Sequence, residues 1–497
     1  MALPKPKGIQ LEVLDLKPIG HNVVLGTAGS GKTTLAIYRA IGLANYSPKD
    51  NILLITFNTT LVKYLEAIVG SELPPNIHVR NYHKFARGYL ASRGKMPRWN
   101  GIVSGIEDGD TKKLLLIRQA LENLRSQNPA NNTYKRDDTV FLEEISWIEK
   151  MGITTLSEYE AMERIGRSDT RIKRENRKYF YAVYEEYKKI RKEEGYWYDW
   201  EDIAQTVYSE LLSDQNERMY KHIVIDEGQD LSPIMLKSLV NAIPQDGSLT
   251  FFGDVAQQIY GSRLSWRDAG LNIEKRKIWR FDRNYRNSRE IARFAIAVSK
   301  SKYFESISDL VEPIMPTASS PLPALVKFEN EENELKWVVE NAISASARQS
   351  VAILVRNREL VNIVEEKVRE KGIKPQILKN KMGTMIINAR ISIGTYHSAK
   401  GLEFELVMLP FCSQEYLPGE DKVKALESRD EALKEDIKLI YVAVTTCDFV
   451  EIVTSLMKLI EQRESLSKEF IDYYKEKWKK YRITKKQMEM AYKLLMK

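Results

Sequence analysis

The sequence predicts an α/β protein built on two parallel sheets, each covered by helices on both faces. Short apolar runs alternate with stretches of helical periodicity, as in NVVLG, NILLIT, KHIVID and GSLTFFG. A second alternating block contains the segments LPALVKF, VAILVRN, ISIGTYHSAKGLEFELVMLP and FVEIVTS. Strands that are apolar on both faces are typical of parallel sheets, because helices cover both sides of such a sheet.

The chain has 497 residues, too many for one hydrophobic core, because cores stop growing at about 250 to 300 residues. The charged, helix-forming sequence RENRKYFYAVYEEYKKIRKEEG interrupts the first block of strands and predicts a helical insertion with a solvated face. We predict a first sheet domain at 1–84 and 196–282, interrupted by a helical insertion at 85–195. A second sheet domain at 283–460 and a basic helical tail at 461–497 complete the division.

The composition indicates a globular protein with a polyanion as a candidate partner. Hydrophobic residues make up 43% and charged residues 29% of the chain, which argues against wholesale disorder. The apolar runs are shorter than the ~18 to 20 residues of a membrane span, and MALPKPKGIQ lacks a signal-peptide core, so we expect a cytoplasmic protein without membrane contact. The net charge of +8 suits nucleic acid.

The cysteines and histidines predict no metal centre. Cys412 and Cys447 lack the paired spacing of a zinc site or a disulfide framework, which fits a reducing cytoplasm. The 5 histidines are scattered and form no metal-ligand pattern. We therefore expect neither structural nor catalytic zinc.

The segment GTAGSGKTT lies between a predicted strand and a predicted helix, with the spacing of a phosphate-binding loop. Glycines let backbone N–H groups surround phosphates, and the helix N-terminus adds positive potential. The lysine would meet the β and γ oxygens, and the hydroxyl after it would bind Mg²⁺. The predicted ATP-binding residues are Gly26, Thr27, Ala28, Gly29, Ser30, Gly31, Lys32, Thr33 and Thr34, with Thr33 also a Mg²⁺ ligand.

Two adjacent acids end the apolar run of KHIVIDE. In phosphoryl transfer, the first such acid holds the Mg²⁺ shell, and the second orients or deprotonates the attacking water. An isolated pair of this kind is often only a solvated turn. Because a phosphate loop precedes this pair, we assign Asp226 to the metal and Glu227 to the water.

Four motifs then follow in order: DEGQD (226–230), GDVAQQIY (253–260), NYRNS (284–288) and TYHSAKGLEF (395–404). In this order they resemble the motifs of UvrD/Rep-type superfamily 1 DNA helicases, and they extend over most of the chain. The resemblance implies two RecA-like P-loop domains and an ATP- and Mg²⁺-dependent motor. It also implies single-stranded DNA as the partner, with movement from 3′ to 5′.

The resemblance assigns further nucleotide contacts. It implies a glutamine that reads the adenine edge, a second glutamine that senses the γ-phosphate, and a tyrosine that stacks on adenine. It also implies an arginine that reaches the γ-phosphate from the second sheet, and a Gly-x-Glu segment whose glutamate contacts the ribose. In chain order these residues are Gln10, Gln257, Tyr285, Arg286, Gly401 and Glu403. A guanidinium fork suits phosphate and a flat ring suits a base, although Tyr285 has core packing as an alternative.

The resemblance also implies a track for single-stranded DNA across the tops of both sheets. Polar side chains would bind phosphates, and aromatic rings would stack on bases, which is worth roughly 1 to 3 kcal/mol per base. The residues so implied are Phe57, Asn58, Tyr82, His83, Phe85, Tyr260, Trp266, Thr395, His397 and Ser398. Each ring taken singly has core packing as its alternative. RNA stays open as a substrate, because such contacts do not read the sugar.

Two departures from the family pattern concern its size and its stacking platform. The aromatic residue expected two positions after Tyr260 is Ser262, so Trp266 would have to replace it. The family's large insertion in the second sheet would fall at 358–390, which is only 33 residues long. We therefore expect the fourth subdomain, which regulates unwinding in relatives, to be missing.

A third departure concerns a positive charge. The family stretch YVA-x-TR-A carries an arginine toward the γ-phosphate, whereas YVAVTTCDF places Thr446 there. Arg286 could carry part of its role, and Lys438 lies nearby in sequence.

Two functions stay open: a single-strand translocase in DNA repair or phage defence, and a slow nucleotide-gated binding module that signals to a partner such as a nuclease.

Overall fold

A computed structural model describes most of the two sheets and of the helices around them. The described residues are 5–6, 8–27, 29–56, 73–97, 101–107, 110–162, 172–254, 271, 278–282, 287–299, 314, 316, 323–326, 328–378, 390–400, 402, 404–413, 415–445 and 447–453. The predicted basic tail at 461–497 lies outside them.

Within the described residues, the first sheet has six parallel strands in the order β3-β2-β6-β7-β1-β8. Its strands are β1 (Gly20–Gly26), β2 (Ile52–Thr56), β3 (Ile77–Asn81), β6 (His222–Asp226), β7 (Ser248–Gly253) and β8 (Ile278–Phe281). The central strands β2, β6 and β7 are buried along their whole length. Continuous burial explains why these strands show apolar runs without polar alternation.

Helices cover both faces of this sheet. They are α1 (Gln10–Leu14), α2 (Lys32–Tyr46), α3 (Tyr82–Ser92), α8 (Ile203–Ser213) and α9 (Pro233–Asn241). One core packs α1 and α2 against the sheet, and a second core packs α3, α8 and α9 against the opposite face. The first sheet is therefore a three-layer α/β domain, as the sequence predicts.

The helical insertion has a hydrophobic core of its own. Its elements are β4 (Ile106–Glu107), β5 (Asp110–Thr111), α4 (Lys112–Gln127), α5 (Asp138–Met151), α6 (Leu156–Ala161) and α7 (Arg177–Glu193). Phe141 and Phe180 stack at the centre of this core, with ring centroids 4.5 Å apart. The buried residues of α3 belong instead to the first-sheet core. We therefore propose that the insertion begins after α3 rather than at residue 85.

The second sheet also has six parallel strands, in the order β11-β12-β10-β13-β14-β9. Its strands are β9 (Ala324–Val326), β10 (Val351–Val355), β11 (Gln376–Ile377), β12 (Ile391–Thr395), β13 (Phe404–Leu409) and β14 (Cys447–Val453). Its helices are α10 (Arg289–Ser299), α11 (Glu331–Ser346), α12 (Arg358–Glu370), α13 (Glu420–Leu426) and α14 (Arg429–Thr445). Between β10 and β12, the described residues form only α12 and β11.

The two parallel sheets confirm the predicted fold class of two RecA-like domains with a helical insertion in the first. Three short edge strands, β3, β8 and β11, have no counterpart among the predicted apolar runs. An edge strand is half covered, so its sequence need not be continuously apolar. In the described part of the chain, no helix combines the length and the hydropathy that crossing a membrane requires.

Candidate nucleotide and strand sites

The functional groups of the first sheet meet at the carboxyl ends of its parallel strands. β1 ends at Gly26, β7 ends one residue before Asp254, and β6 ends at Asp226. The register places Thr56 of β2 opposite Asp226. In open α/β sheets, ligands bind at this edge because loops and helix N-termini converge there.

The loop between β1 and α2 has the backbone of a phosphate-binding loop. Gly29 and Gly31 adopt φ values of 72° and 84°, which favour glycine. A Cβ on Gly26 would lie 2.5 Å from Ser30 Oγ, so a side chain at that position would collide with the loop. α2 then begins at Lys32, and its N-terminal amides and dipole face the loop.

The Lys32 side chain lies inside the β1–α2 loop, where it is predicted to contact phosphate oxygens. Its Nζ donates to the carbonyl oxygens of Gly26 at 3.0 Å and Thr27 at 2.8 Å. It also lies 4.0 Å from Asp254 Oδ2. Lys32 is 6% exposed, so the protein holds a buried ammonium group at the place where phosphate oxygens would bind.

Asp226 is a buried acid at the carboxyl end of β6. It is 1% exposed, and within the described residues neither of its carboxylate oxygens has a partner. Burial raises the pKa of Asp226 to about 7, and the neighbouring Glu227 charge adds to the rise, although Thr33 and Lys32 oppose it. A carboxyl group placed this way is stabilised by a proton or by a cation, since an unpaired buried charge is costly.

Glu227 is held in an unusual backbone conformation. Its φ is 53°, which is uncommon for a residue other than glycine. Its Oε2 accepts a hydrogen bond from Gln229 Nε2 at 2.5 Å, and Gln229 Oε1 accepts one from the Asp254 amide at 2.9 Å. Strained backbone concentrates at functional sites, where the surrounding contacts maintain it. These contacts fix the direction of the Glu227 carboxylate.

The oxygen ligands at this edge fit Mg²⁺. The buried Asp226 carboxylate lies near enough to the Thr33 hydroxyl for that hydroxyl to lower its pKa. Mg²⁺ prefers a few oxygen ligands and retains several waters. Asp226 and Thr33 therefore remain the residues that would hold the ion beside a nucleotide.

Gln10 lies beside the phosphate-binding loop, as its predicted role requires. Its Nε2 donates to the carbonyl oxygen of Ser30 at 2.9 Å, although 20 positions separate the two residues. The side chain is 8% exposed. A contact with the adenine edge stays a prediction.

The second sheet domain faces this nucleotide edge. Lys400 Nζ lies 2.6 Å from Asp230 Oδ1, and both side chains are buried. Burial raises the pKa of Tyr441 well above its usual range, and the charge of Asp254 contributes. Tyr441 belongs to the last turns of α14, so the end of this helix lies within electrostatic reach of the nucleotide edge.

Two predicted stacking residues are core residues instead. Tyr82 is 0% exposed, and its hydroxyl pairs with Ser238 Oγ at 2.6 Å. Phe85 is 5% exposed, and both rings belong to the core under the first sheet. The prediction that these rings stack on bases is therefore wrong for this structure, because neither presents a face to solvent. The neighbouring His83 ring packs edge-on against Trp200, with centroids 5.0 Å apart.

The turn after β12 carries the predicted strand contacts Thr395, His397 and Ser398. Ser398 Oγ donates to the Thr395 carbonyl at 2.8 Å, so this hydroxyl holds the turn together. Burial lowers the pKa of His397 to about 4, and the charges of Lys422, Arg356 and Lys400 add to the effect. His397 is therefore neutral at pH 7 and would act on a strand as a hydrogen-bonding group rather than as a cation.

His397 lines a cavity where the insertion and both sheet domains meet. The cavity has a volume of about 470 Å³. The insertion contributes Lys112, Trp147 and Lys150, the segment before α8 contributes Trp200 and Glu201, and the second sheet domain contributes Arg356, His397 and Lys422. The imidazole is accessible within this cavity, although protein atoms surround it. The cations and indole rings suit the phosphates and bases of a strand, but the lining also includes five acids, Glu143, Asp199, Glu201, Glu435 and Asp436, two of which pair with Lys422.

Several predicted site residues lie outside the described part of the chain. They are Ala28, Phe57, Asn58, Gln257, Tyr260, Trp266, Tyr285, Arg286, Gly401 and Glu403, together with the arginine-position residue Thr446. Their roles stay predictions.

Sequence reasoning missed the groups that support the site. Asp254, Gln229 and the Lys400–Asp230 pair were given no role, although all four residues lie within the motifs that carry the resemblance. An acid directly after the apolar run GSLTFFG was a usable signal for Asp254. No sequence signal links Lys400 with Asp230 across 170 positions.

Comparison with known proteins agrees with this geometry. The UvrD/REP helicase N-terminal domain matches residues 9–278, and the UvrD-like helicase C-terminal domain matches residues 376–447. The chain is 25% identical over 519 residues to a probable DNA helicase from Mycoplasma pneumoniae, covering 93% of this chain and 88% of that protein.

Two further relatives are longer proteins. The chain is 24% identical to the putative ATP-dependent DNA helicase YjcD of Bacillus subtilis, covering 71% of this chain and 46% of YjcD. It is 23% identical to the ATP-dependent DNA helicase srs2 of Schizosaccharomyces pombe, covering 72% of this chain and 42% of srs2. The chain thus spans less than half the length of these two relatives.

Since the N-terminal family domain alone covers more than half of the chain, the protein belongs to the UvrD/REP family of DNA helicases.

Proposed function

We propose that this protein is an ATP-dependent translocase on single-stranded DNA. The observation that carries the proposal is the buried Asp226 at the edge of the first sheet, near the charges of Lys32 and Glu227, whose carboxylate oxygens have no hydrogen-bond partner among the described residues. The cavity that contains His397 supplies a place for the strand between the same domains. Closure of the two domains on ATP, followed by opening after hydrolysis, would advance the strand.

The residues divide the chemistry among them. The β1–α2 loop and Lys32 bind phosphate oxygens, and Asp226 with Thr33 holds Mg²⁺. When bound, Mg²⁺ neutralises charge on the phosphate oxygens. Glu227 orients the attacking water and accepts its proton, with Gln229 fixing its carboxylate. Arg286 is proposed from the resemblance to contact the γ-phosphate from the second sheet domain.

Steady-state ATP turnover with and without oligo-dT tests this proposal. Lys32→Ala should lower turnover by about 10² to 10³-fold, because one positive contact to the transferring phosphate is lost. Lys49→Ala, an exposed lysine after the same helix, is the matched control and should leave turnover unchanged. Wild-type turnover in Lys32→Ala would contradict the phosphate-loop assignment.

The resemblance also supports finer proposals. Movement is proposed from 3′ to 5′, which displacement of streptavidin from either end of an oligonucleotide would report. DNA is proposed over RNA, which a comparison of oligo-dT with oligo-rU would test. DNA repair and phage defence are the proposed settings, with a nuclease as a candidate partner.

A slow nucleotide-gated switch is the second candidate function, and one observation favours it. Thr446 stands where the family stretch YVA-x-TR-A has its arginine. In sequence it directly follows α14, and the end of this helix lies within electrostatic reach of Asp254. An arginine that contacts a transferring phosphoryl group is worth about 10³ to 10⁵ in rate.

Thr446→Arg distinguishes the two functions. If a contact has been lost at this position, strand-stimulated turnover should rise in the variant, by about tenfold or more given the magnitude of such contacts. Turnover that stays the same or falls would indicate that another residue fills the role. Tight oligo-dT binding with negligible turnover in the wild type would favour the switch.

A further inference from the structure

A buried ion pair joins the two sheet domains close to the catalytic acids. Lys400 Nζ lies 2.6 Å from Asp230 Oδ1. Both residues are 4% exposed, so water screens their attraction poorly. Burial raises the pKa of Asp230 to about 6 despite the opposing charge of Lys400. Removing either partner would take a buried countercharge away from the other.

On the first-sheet side, Asp230 is tied to the groups that direct hydrolysis. Its amide donates to the Glu227 carbonyl at 3.1 Å. The intervening Gln229 side chain bonds both the Glu227 carboxylate, at 2.5 Å, and the Asp254 amide, at 2.9 Å. Asp254 Oδ2 in turn lies 4.0 Å from Lys32 Nζ. A displacement of Asp230 would therefore change the direction of the Glu227 carboxylate.

On the second-sheet side, Lys400 ends the turn that follows β12. Ser398 N and Oγ both bond Thr395, at 3.3 and 2.8 Å, and the Lys400 amide donates to the His397 carbonyl at 3.4 Å. These short-range bonds make the turn a compact unit. His397 lines the cavity, whereas Lys400, three positions later, points its charge at the first sheet domain. A ligand that moves His397 would therefore move Lys400 with it.

We propose that the Lys400–Asp230 pair is the positioning contact through which strand binding beside His397 sets the geometry of Glu227 for ATP hydrolysis. This inference rests on the proposed function, because it requires a strand at the β12 turn and ATP at the β1–α2 loop. The pair lies outside both the phosphate-binding loop and the cavity lining. It acts through the two turns that it joins.

The test compares Lys400→Met, Lys400→Arg and the double variant Lys400→Met/Asp230→Asn. The double variant removes both charges, so neither is left buried alone if Lys400→Met fails to fold. Lys221→Met is the control, because Lys221 forms a more exposed ion pair with Asp246 away from the domain interface. Each protein is measured for ATP turnover with and without oligo-dT, for oligo-dT affinity by fluorescence anisotropy, and for its melting temperature.

Lys400→Met and the double variant should reduce the stimulation of turnover by oligo-dT about tenfold, in the range typical of coupling between sites. Oligo-dT affinity and unstimulated turnover should change much less. Lys400→Arg, which keeps the charge, should retain most of the stimulation, and Lys221→Met should retain all of it.

Three results would overturn the inference. Full stimulation in Lys400→Met and in the double variant would show that the pair does not transmit strand binding. An equal loss of stimulated and unstimulated turnover would show that the pair only holds the domains together. A wild type that oligo-dT neither binds nor stimulates would defeat the proposed function and this inference with it, whereas the first two results leave the proposed function intact.

Discussion

Two groups of buried acids differ in how their charge is compensated. At the nucleotide edge, Asp226 has no hydrogen-bond partner within the described chain, and burial with the adjacent Glu227 charge raises its pKa to about 7. The second group lies where the insertion meets the first sheet domain. We call it the Lys113 cluster, and it consists of Lys113, Glu149, Arg191, Asp199, Glu201 and Asp202.

The acids of the Lys113 cluster surround cations supplied by the protein. Lys113 Nζ lies 2.6 Å from Glu149, 3.1 Å from Asp199 and 3.1 Å from Glu201. Oxygens of these three acids lie within 4.8 Å of one another, as in a metal site. The ammonium group already lies at hydrogen-bonding distance from all three carboxyl groups, so a protein cation occupies the place where an ion would bind.

Arg191 extends the same compensation. Although burial opposes it, the charges of Lys113 and Arg191 hold the pKa of Asp199 below its usual range. Burial and the Asp199 charge raise the pKa of Asp202 to about 7. Tyr187 also donates to Asp199 Oδ2 at 2.8 Å. The central carboxylate is thus ionised and fully bonded, as expected of a structural network.

The comparison teaches that burial alone does not identify a catalytic acid. Both groups contain buried carboxyls with shifted pKa values, and both lie near cavities or loops. What differs is the partner: the acids of the Lys113 cluster contact a lysine and an arginine, whereas neither carboxylate oxygen of Asp226 has a hydrogen-bond partner among the described residues. Substitutions in the two groups should therefore affect different properties of the protein.

The largest expected effect is a loss of ATP turnover when an acid at the nucleotide edge is substituted. Glu227→Gln should lower strand-stimulated ATP turnover by about 10² to 10⁴-fold, because the amide cannot accept a proton from water. Oligo-dT affinity should stay close to that of the wild type. Asp202→Asn, in the Lys113 cluster and outside the cavity lining, is the matched control, and a comparable loss of turnover in it would remove the distinction between the groups.

The next largest effect is a loss of stability of the insertion when the Lys113 cluster loses its lysine. Lys113→Met should destabilise the insertion by about 3 to 5 kcal/mol, because it leaves buried carboxylates without their cation. Hydrogen exchange of the α4 and α5 amides would measure this change. Lys189→Met removes a lysine that lies 3.9 Å from Glu186 and is 64% exposed, and it should change stability by less than about 1 kcal/mol. Equal protection in both variants would contradict the assignment.

The smallest effect is a gain in stability that depends on pH. Since the folded pKa of Asp226 is above its unfolded value of 3.8, its favourable contribution is complete below that value and is lost as pH rises through about 7. Asp226→Asn should therefore stabilise the nucleotide-free protein in EDTA by about 1 to 3 kcal/mol at pH 8, and by less at pH 5.

Thermal unfolding at the two pH values would measure this gain. Asp15→Asn changes an exposed acid directly after α1, and its unfolding should match the wild type at both pH values. A destabilised Asp226→Asn protein at pH 8 would mean that the carboxylate has a partner in the folded state.

Much of the fold and part of the site could be predicted because the relevant interactions are local. The β1–α2 loop needs glycines at positive φ next to a helix start, and that requirement is visible in eight consecutive residues, GTAGSGKT. Continuous apolar runs likewise mark the central strands, whose burial on both faces excludes polar residues.

The strand contacts were harder to predict. Tyr82 and Phe85 begin a helix whose buried face is set by α8 and α9, and those helices lie more than a hundred positions later in the chain. An aromatic residue in a motif therefore does not reveal which way its ring points. His397 shows the same dependence, because burial, together with the charges of Lys422, Arg356 and Lys400, lowers its pKa to about 4.

The sequence by itself determined that the protein has two parallel sheets, a phosphate-binding loop, and paired acids at a strand end. Each of these depends on residues close together in the chain and on backbone geometry that few residue types satisfy. The tertiary structure alone decided which buried charges are compensated. It brought Lys113 to Asp199 and Lys400 to Asp230, and left Asp226 without a partner among the described residues. Electrostatic energy depends on distance in space and on burial, and neither can be read from separation along the chain.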